Sequence, residues 1–302
     1  MFEGFDHATA DLDGTTIAYV TGGGGKDNGS DSAPVLLLHG FPQTRAMWAA
    51  IAPILAEGRR VVAADLRGYG ASSRPDGIEA MSFRAMAGDM VALMTHLGHD
   101  RFDVIGHDRG ARTAHRMALD HPDRLRSLVL MDIAPTQELL DNLITPVARA
   151  YYHWFFLAQP APFPETMIGR DPDHYFESCL AGWGAAGLSD FAPEQLDAYR
   201  ATWRDPGVIH TMCNDYRAAI AVDLALDRAD LDRQVSCPAL VMYGADGIMG
   251  RIYDMAAIWS PRLARMQVCA MPGGHFFPDL HPARTAAALV AFLDGKPVPA
   301  AG

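Results

Sequence analysis

Residues 106–110 read "GHDRG". A glycine, any residue, a central side chain, any residue and a second glycine is a frame that seats a nucleophile, usually serine, on a sharp strand-to-helix turn. Here the centre is Asp108, and the cation Arg109 follows it. Serine suits attack on an acyl carbon. A carboxylate suits displacement at a saturated carbon and leaves an alkyl ester on the protein. Water must then attack the ester carbonyl, so the site also needs a general base and donors for an oxyanion. Those two steps fit opening of a carbon–halogen bond or an epoxide, and fit amides and ordinary esters poorly. Taken alone, Asp108 reads equally well as the cap of the helix that follows it.

Other segments supply the remaining parts. His275 lies in "PGGHFF" (272–277), just after the last apparent strand. The chain order nucleophile, acid, histidine makes it the base. "HGFP" (39–42) ends an earlier apolar run, where the backbone N–H of Phe41 can join that of Arg109 to hold an oxyanion. The acid that orients the histidine is Asp132, ending "LVLMD", or Asp246, just after "VMYG". Its commonest seat, three residues past the strand-ending glycine, is Gly247 here, so Asp132 on the neighbouring strand is favoured over Asp246.

Arg109 and Arg112 are three apart, on one face of the helix leaving the turn. Two such cations beside a nucleophile would clamp a carboxylate, because guanidinium offers a planar fork of donors. Adjoining the nucleophile, Arg109 is expected to serve a ligand rather than a local acid. "YYHW" (151–154) brings the ring N–H groups of His153 and Trp154, and "CNDYRA" (213–218) brings the Tyr216 hydroxyl. These three neutral donors could cradle a departing halide. On composition alone they read as packing of a lid.

The surrounding pattern must position these groups. The opening "FDHATADLDGTTIAYVTGGGG" predicts a hairpin about Asp13-Gly14, and 22–34 a loop. Strands are predicted over 35–40, 60–66, 102–107, 125–133, 239–244 and 266–271. Helices are predicted over 45–57, 83–98, 109–120, 251–259 and 282–293. That alternation implies an α/β sheet with parallel strands. It breaks at Ala134. From 134 to 223 the chain is rich in aromatics and proline and reads as a helical cap over a core made of 1–133 and 224–302.

The net charge of −11 gives no basic face for nucleic acid. No apolar run reaches membrane-spanning length, and the start has no basic-then-apolar signal pattern, so a cytoplasmic protein is expected. Four widely spaced cysteines form no metal or redox motif.

Over about residues 34–293 the chain resembles the α/β-hydrolase superfamily, and more closely the fluoroacetate (haloacetate) dehalogenases. The resemblance rests on "HGFPQT", "DLRGYGASS", "GHDRGAR", "LMDIAPT", "YHWFFLAQPAP", "MCNDYRA" and "GGHFFP". It implies an α/β-hydrolase fold, a mostly parallel central sheet flanked by helices with a helical cap. It also implies hydrolysis of short 2-haloacids such as fluoroacetate or chloroacetate, without metal or organic cofactor, by a homodimer. By resemblance Asp108 is the nucleophile, His275 the base and Asp132 its partner. Arg109 and Arg112 then bind the substrate carboxylate, and His153, Trp154 and Tyr216 the halide. Trp183 in "CLAGWG" matches a lid tryptophan that lines the pocket. Where the family often has a pocket tyrosine after "DIAPT", this chain reads "QELLDN", with Leu139 near that position. An epoxide hydrolase is the nearest alternative. It uses the same carboxylate and histidine and needs two lid tyrosines, for which Tyr151, Tyr152, Tyr175 and Tyr199 are available, but Arg109 argues against it. Haloalkane dehalogenases act on neutral substrates, for which that cation has no use.

Overall fold

The computed structural model describes residues 1–24, 33–183 and 187–298. The predicted hairpin is formed by β1 (Asp6–Leu12) and β2 (Thr15–Gly22), paired antiparallel. Asp13 and Gly14 between them both take positive φ, 37° and 94°, as a tight two-residue hairpin turn requires. Most of the 22–34 stretch lies outside the described residues.

Six further strands follow: β3 (Val35–Leu38), β4 (Val61–Ala64), β5 (Phe102–His107), β6 (Leu125–Met131), β7 (Ala239–Gly244) and β8 (Met266–Met271). All eight form one sheet in the order β1-β2-β4-β3-β5-β6-β7-β8, and β3 to β8 run parallel. Parallel strands covered by helices on both faces must be apolar throughout, and every residue of β3, β4 and β5 is buried.

The chain passes from β3 out to β4, then returns to lay β5 on the other side of β3. This reversal opens a crevice at the carboxyl ends of β3 and β5, where sheets of this kind bind ligands. Register aligns those ends: Leu38 lies opposite Gly106, His107 opposite Met131, and Met131 opposite Met242. The residues that follow these strands therefore emerge side by side.

The turn after β5 depends on its two glycines. A Cβ on Gly106 would lie 2.4 Å from the Gly110 carbonyl oxygen, and one on Gly110 would lie 2.5 Å from the Leu38 and His39 carbonyl oxygens. Only without those side chains can the Arg109–Asp120 helix start this close to β3. Asp108, at the apex, has φ 49° and ψ −112°, a strained conformation of the kind that concentrates at functional sites.

Several boundaries differ from the sequence pattern, three of them for a visible reason. β6 stops at Met131 rather than 133, because Asp132 turns the chain with φ 53°. The helix predicted over 45–57 is a 3-10 turn, Arg45–Trp48, and a short helix, Ala52–Ala56. Pro53 near the start of the second piece has no N–H to continue the first. The helix predicted over 251–259 is also two pieces, Ile248–Ile252 and Met255–Trp259. Tyr253 is extended between them, and the Asp254 side chain caps the second by accepting the Ala257 N–H at 3.0 Å.

Between β6 and β7 the described residues contain helices and no strand. The last helical run is continuous from Pro206 to Ala229, through a π-helical turn at Ala219–Asp223, so it passes the boundary at 223. Trp154, Tyr199, Trp203 and Tyr216 are all buried in this region. Among the described residues, no helix is long and apolar enough to cross a membrane.

Candidate active site

Asp108 is buried at the start of the Arg109–Asp120 helix. Its Oδ1 accepts the Phe41 N–H at 2.9 Å. Its Oδ2 lies 3.9 Å from His275 Nε2. One oxygen is thus held by the backbone of the β3 turn while the other faces the imidazole. Burial by itself would raise this carboxyl. The charges of His275, Arg109 and His107, with the Phe41 N–H, outweigh burial and lower it to about 2. Asp108 is an anion at any ordinary pH, as a nucleophile must be.

His275 Nδ1–H donates to Asp132 Oδ2 at 2.7 Å. Asp132 Oδ1 accepts the Gly244 N–H at 2.9 Å, which locks the carboxylate in place. Asp246 instead accepts the Gly273 N–H at 3.1 Å from an exposed position. The structure brings Asp132 to the histidine and leaves Asp246 bracing the loop before it. Burial opposes the imidazolium, but the Asp132 hydrogen bond and charge, with the charge of Asp108, raise His275 above the usual imidazole value. Its Nε2 has no hydrogen-bond partner among the described residues and could take a proton from water.

Arg109, expected to serve a ligand rather than an acid of the protein, is in fact paired with Asp215. Its Nε donates to Asp215 Oδ2 at 2.9 Å, and its Nη2 bonds both the Asp215 carboxylate and the Asp215 carbonyl oxygen. The pair is fully buried, and an unpaired cation there would be prohibitively costly. Only Nη1 is without a partner. Arg112 donates through Nη1 to the Ala134 carbonyl oxygen at 3.0 Å and to Thr136 Oγ1 at 2.9 Å, and it has no carboxylate partner among the described residues. The Trp154 ring lies 5.0 Å from the Arg109 guanidinium and 4.7 Å from that of Arg112. Both arginines are thereby steadied by a π-face.

The three predicted neutral donors come together. The ring of Tyr216 is 5.4 Å from His153 and 5.4 Å from Trp154, edge-on to each. His153 stacks on Phe41 at 6.0 Å, the residue whose N–H holds Asp108. The Tyr216 hydroxyl and His153 Nδ1 are buried without partners among the described residues. Burial drives His153 well below the usual imidazole value and Tyr216 well above the usual phenol value, so both stay neutral. Trp183 covers the other side, 4.1 Å from His153 and 5.6 Å from His275 between ring centres. Together with Tyr151, Asp132 and His275 it lines a cavity of about 370 Å³. Leu139 is buried on the Thr136–Asp141 helix but does not line that cavity. From this segment it is Thr136 that reaches a site residue, Arg112.

Several contributors went unmarked in the sequence. Asp215, next to Tyr216, takes Arg109 and also accepts the Tyr69 hydroxyl at 2.6 Å. An acid beside a candidate ligand group was the available signal, but its partner is 106 residues away. His107, inside the turn motif itself, donates through Nε2 to the His275 carbonyl oxygen at 2.8 Å. Burial, with the His275 charge, lowers it to about 4, so it is neutral. Of the lid tyrosines, Tyr199 is committed, since its hydroxyl donates to Asp279 at 2.8 Å.

Changing Asp215 to Asn will leave Arg109 buried without a counter-charge. Unfolding in urea should show a loss of about 3–5 kcal/mol. An unchanged midpoint would mean that the pair contributes nothing to stability.

A family model described as "alpha/beta hydrolase fold" matches residues 33–282. The chain is 53% identical over 296 residues to the fluoroacetate dehalogenase of Burkholderia sp, covering 97% of this chain and 95% of that one. It is 30% identical to the soluble epoxide hydrolase of Corynebacterium sp. (strain C12), covering 91% and 93%. A crystal structure from Nostoc sp PCC 7120, described as that of an alpha/beta hydrolase, superposes with a TM-score of 0.93 at 46% identity, covering 97% and 99%. The chain belongs to the α/β-hydrolase superfamily and, within it, to the family of the fluoroacetate dehalogenase.

Proposed function

We propose that the protein hydrolyses the carbon–halogen bond of short 2-haloacids, fluoroacetate and chloroacetate among them, to the 2-hydroxyacid and halide. The observation that carries this reading is the buried Asp108 anion, next in sequence to Arg109 and one helical turn from Arg112, with the Tyr216 ring, whose hydroxyl has no partner among the described residues, 4.2 Å from the Arg109 guanidinium. The 53% identity to a fluoroacetate dehalogenase supports it.

The substrate carboxylate docks on the free Nη1 edge of Arg109 and on Arg112. This directs its C2 to Asp108 and offsets the repulsion between two anions. Asp108 Oδ2 displaces the halide in line. A carbon–oxygen bond forms as the carbon–halogen bond breaks, and the halide leaves towards His153, Trp154 and Tyr216. Asp108 is now an ester. His275 Nε2 takes a proton from water, and the hydroxide adds to Asp108 Cγ. The oxyanion that forms is Asp108 Oδ1 itself, already beside the Phe41 N–H and joined by that of Arg109. Collapse releases the hydroxyacid and restores the carboxylate, and His275 passes its proton to solvent. The 134–223 segment serves as the cap that excludes water from the first step.

An epoxide hydrolase reading has in its favour Tyr151 beside His275 at the 370 Å³ cavity and the 30% identity to the Corynebacterium enzyme. It has Tyr199 and the two arginines against it. Halide release from fluoroacetate and chloroacetate, run against opening of a simple epoxide, separates the two. Epoxide turnover without halide release would reject the dehalogenase.

Tyr216→Phe removes one donor to the leaving group. Fluoride is small and hard, and its bond to carbon is strong, so its departure leans most on hydrogen bonds. The expected loss is about 10²-fold for fluoroacetate and about tenfold or less for chloroacetate, read with halide electrodes. Equal losses would remove Tyr216 from the halide site.

A further inference from the structure

A second polar cavity, of about 20 Å³, borders the Arg109–Asp120 helix and is lined by Arg112, His115, Arg116, Asp223 and Trp259 among others. That is room for one water-sized species. Four of its lining residues each carry a buried polar atom with no partner among the described residues: Arg112 Nε, His115 Nε2, Arg116 Nε and Asp223 Oδ2. None of the four residues is more than 7% exposed. Other atoms of three of these residues are engaged. Arg112 bonds Ala134 and Thr136. Arg116 bonds Asp230 at 2.6 Å and Asp120 at 2.7 Å. Asp223 Oδ1 accepts the Phe83 N–H at 3.0 Å.

Two independent features of the chain bring these residues to one cavity. Residues 112, 115 and 116 share one face of a helix. Asp223 ends the π-helical turn Ala219–Asp223, and such turns re-aim side chains and recur at functional sites.

We propose that this cavity is a binding site for one halide ion, held by the Nε–H groups of Arg112 and Arg116, by the His115 ring and by the Asp223 carboxyl group. Charge favours an anion over water. Arg112 has only neutral oxygens as partners among the described residues, so a buried cation there lacks a counter-ion. Arg262, by contrast, is matched by Asp227 at 3.1 Å.

The proton on Asp223 decides the occupancy. Burial raises this carboxyl to about 7, against the Phe83 N–H and the charges of Arg109 and Arg116, with Asp215 adding to the rise. Arg84 on the Phe83–His96 helix also feels it, and Arg112, His115 and Asp227 face it across the cavity. Below that pH the acid form donates to the ion. Above it the carboxylate repels the ion. Burial holds His115 near 4, so the ring is neutral over the same range and adds no titration. If the proposed function holds, a halide here and a substrate carboxylate draw on the same Arg112 guanidinium, so each weakens the other's binding.

The test is crystals of the whole protein soaked in a bromide concentration series, read by anomalous diffraction. An anomalous peak should stand in this cavity. Its apparent affinity should fall about tenfold between one pH unit below and one above 7, the ratio of protonated Asp223 at the two values. In Asp223→Asn the carboxamide N–H₂ donates at every pH, so bromide should remain and its pH dependence should vanish. No anomalous peak, or wild-type occupancy indifferent to pH, overturns the proposal. The wild-type series decides even if the variant fails to fold. Bromide binding needs no turnover, so failure of the dehalogenase reading would leave this signal intact.

Discussion

Asp108→Ala should reduce halide release by at least about 10⁴-fold while substrate binding survives. In the proposed reaction Asp108 forms the bond that expels the halide, and the two nearby carboxylates are otherwise engaged. Asp132 is spent on His275 and the Gly244 N–H, and Asp215 on Arg109 and Tyr69. The fold should tolerate the change, because the adjacent guanidinium is neutralised by Asp215 rather than by Asp108. Binding should hold or tighten, since an anion that repels the substrate carboxylate has been removed. Halide electrodes measure the first effect and calorimetric titration the second. Residual turnover near the wild-type level would end the nucleophile assignment. A single turnover in heavy-oxygen water is the complementary check, because one oxygen of the Asp108 carboxylate should then carry the label.

His275→Asn should split the reaction in two. Alkylation needs only the Asp108 anion, so each chain should release one equivalent of halide and stop. Intact-mass spectrometry should find one added carboxymethyl group on Asp108. Steady turnover should fall by about 10²–10⁴-fold, the usual worth of a positioned general base. Absence of the adduct would reject the two-step scheme. The pH profile of the wild type should show the same division. Asp108 stays ionised down to about 2, so kcat/KM, which reports alkylation, should be level on the acid side until the protein unfolds. Hydrolysis requires neutral His275, so kcat should fall as pH drops through the imidazole. In the free protein that imidazole is raised by Asp132 and Asp108. Forming the ester removes the Asp108 charge and leaves Asp132, so the base gives up its proton more readily in the intermediate than before it. The acid limb of kcat should therefore lie below the free-protein value.

Much of this centre was readable because its parts are local. The "GHDRG" turn carries its own strand, its own helix and the glycines that close it. The alternation of apolar runs and helical periods located all six parallel strands. Local pattern failed where a single side chain ends an element: Asp132 stops β6 early, and Asp254 caps a helix that looked continuous. It also left Asp132 and Asp246 in competition, since both follow strand ends and only sheet order decides which one meets His275.

From the sequence alone came the candidate nucleophile, the candidate base, the parallel sheet and a strand-free helical stretch, because each is written in neighbouring residues through spacing, period and turn chemistry. Tertiary structure alone decided that Arg109 is half consumed by Asp215, that His107 holds the backbone of His275, and that Arg112 borders the small polar cavity beside its helix. These facts join residues far apart in the chain. They follow from the cost of burying a charge, which forces each cation to find whatever partner the fold brings near.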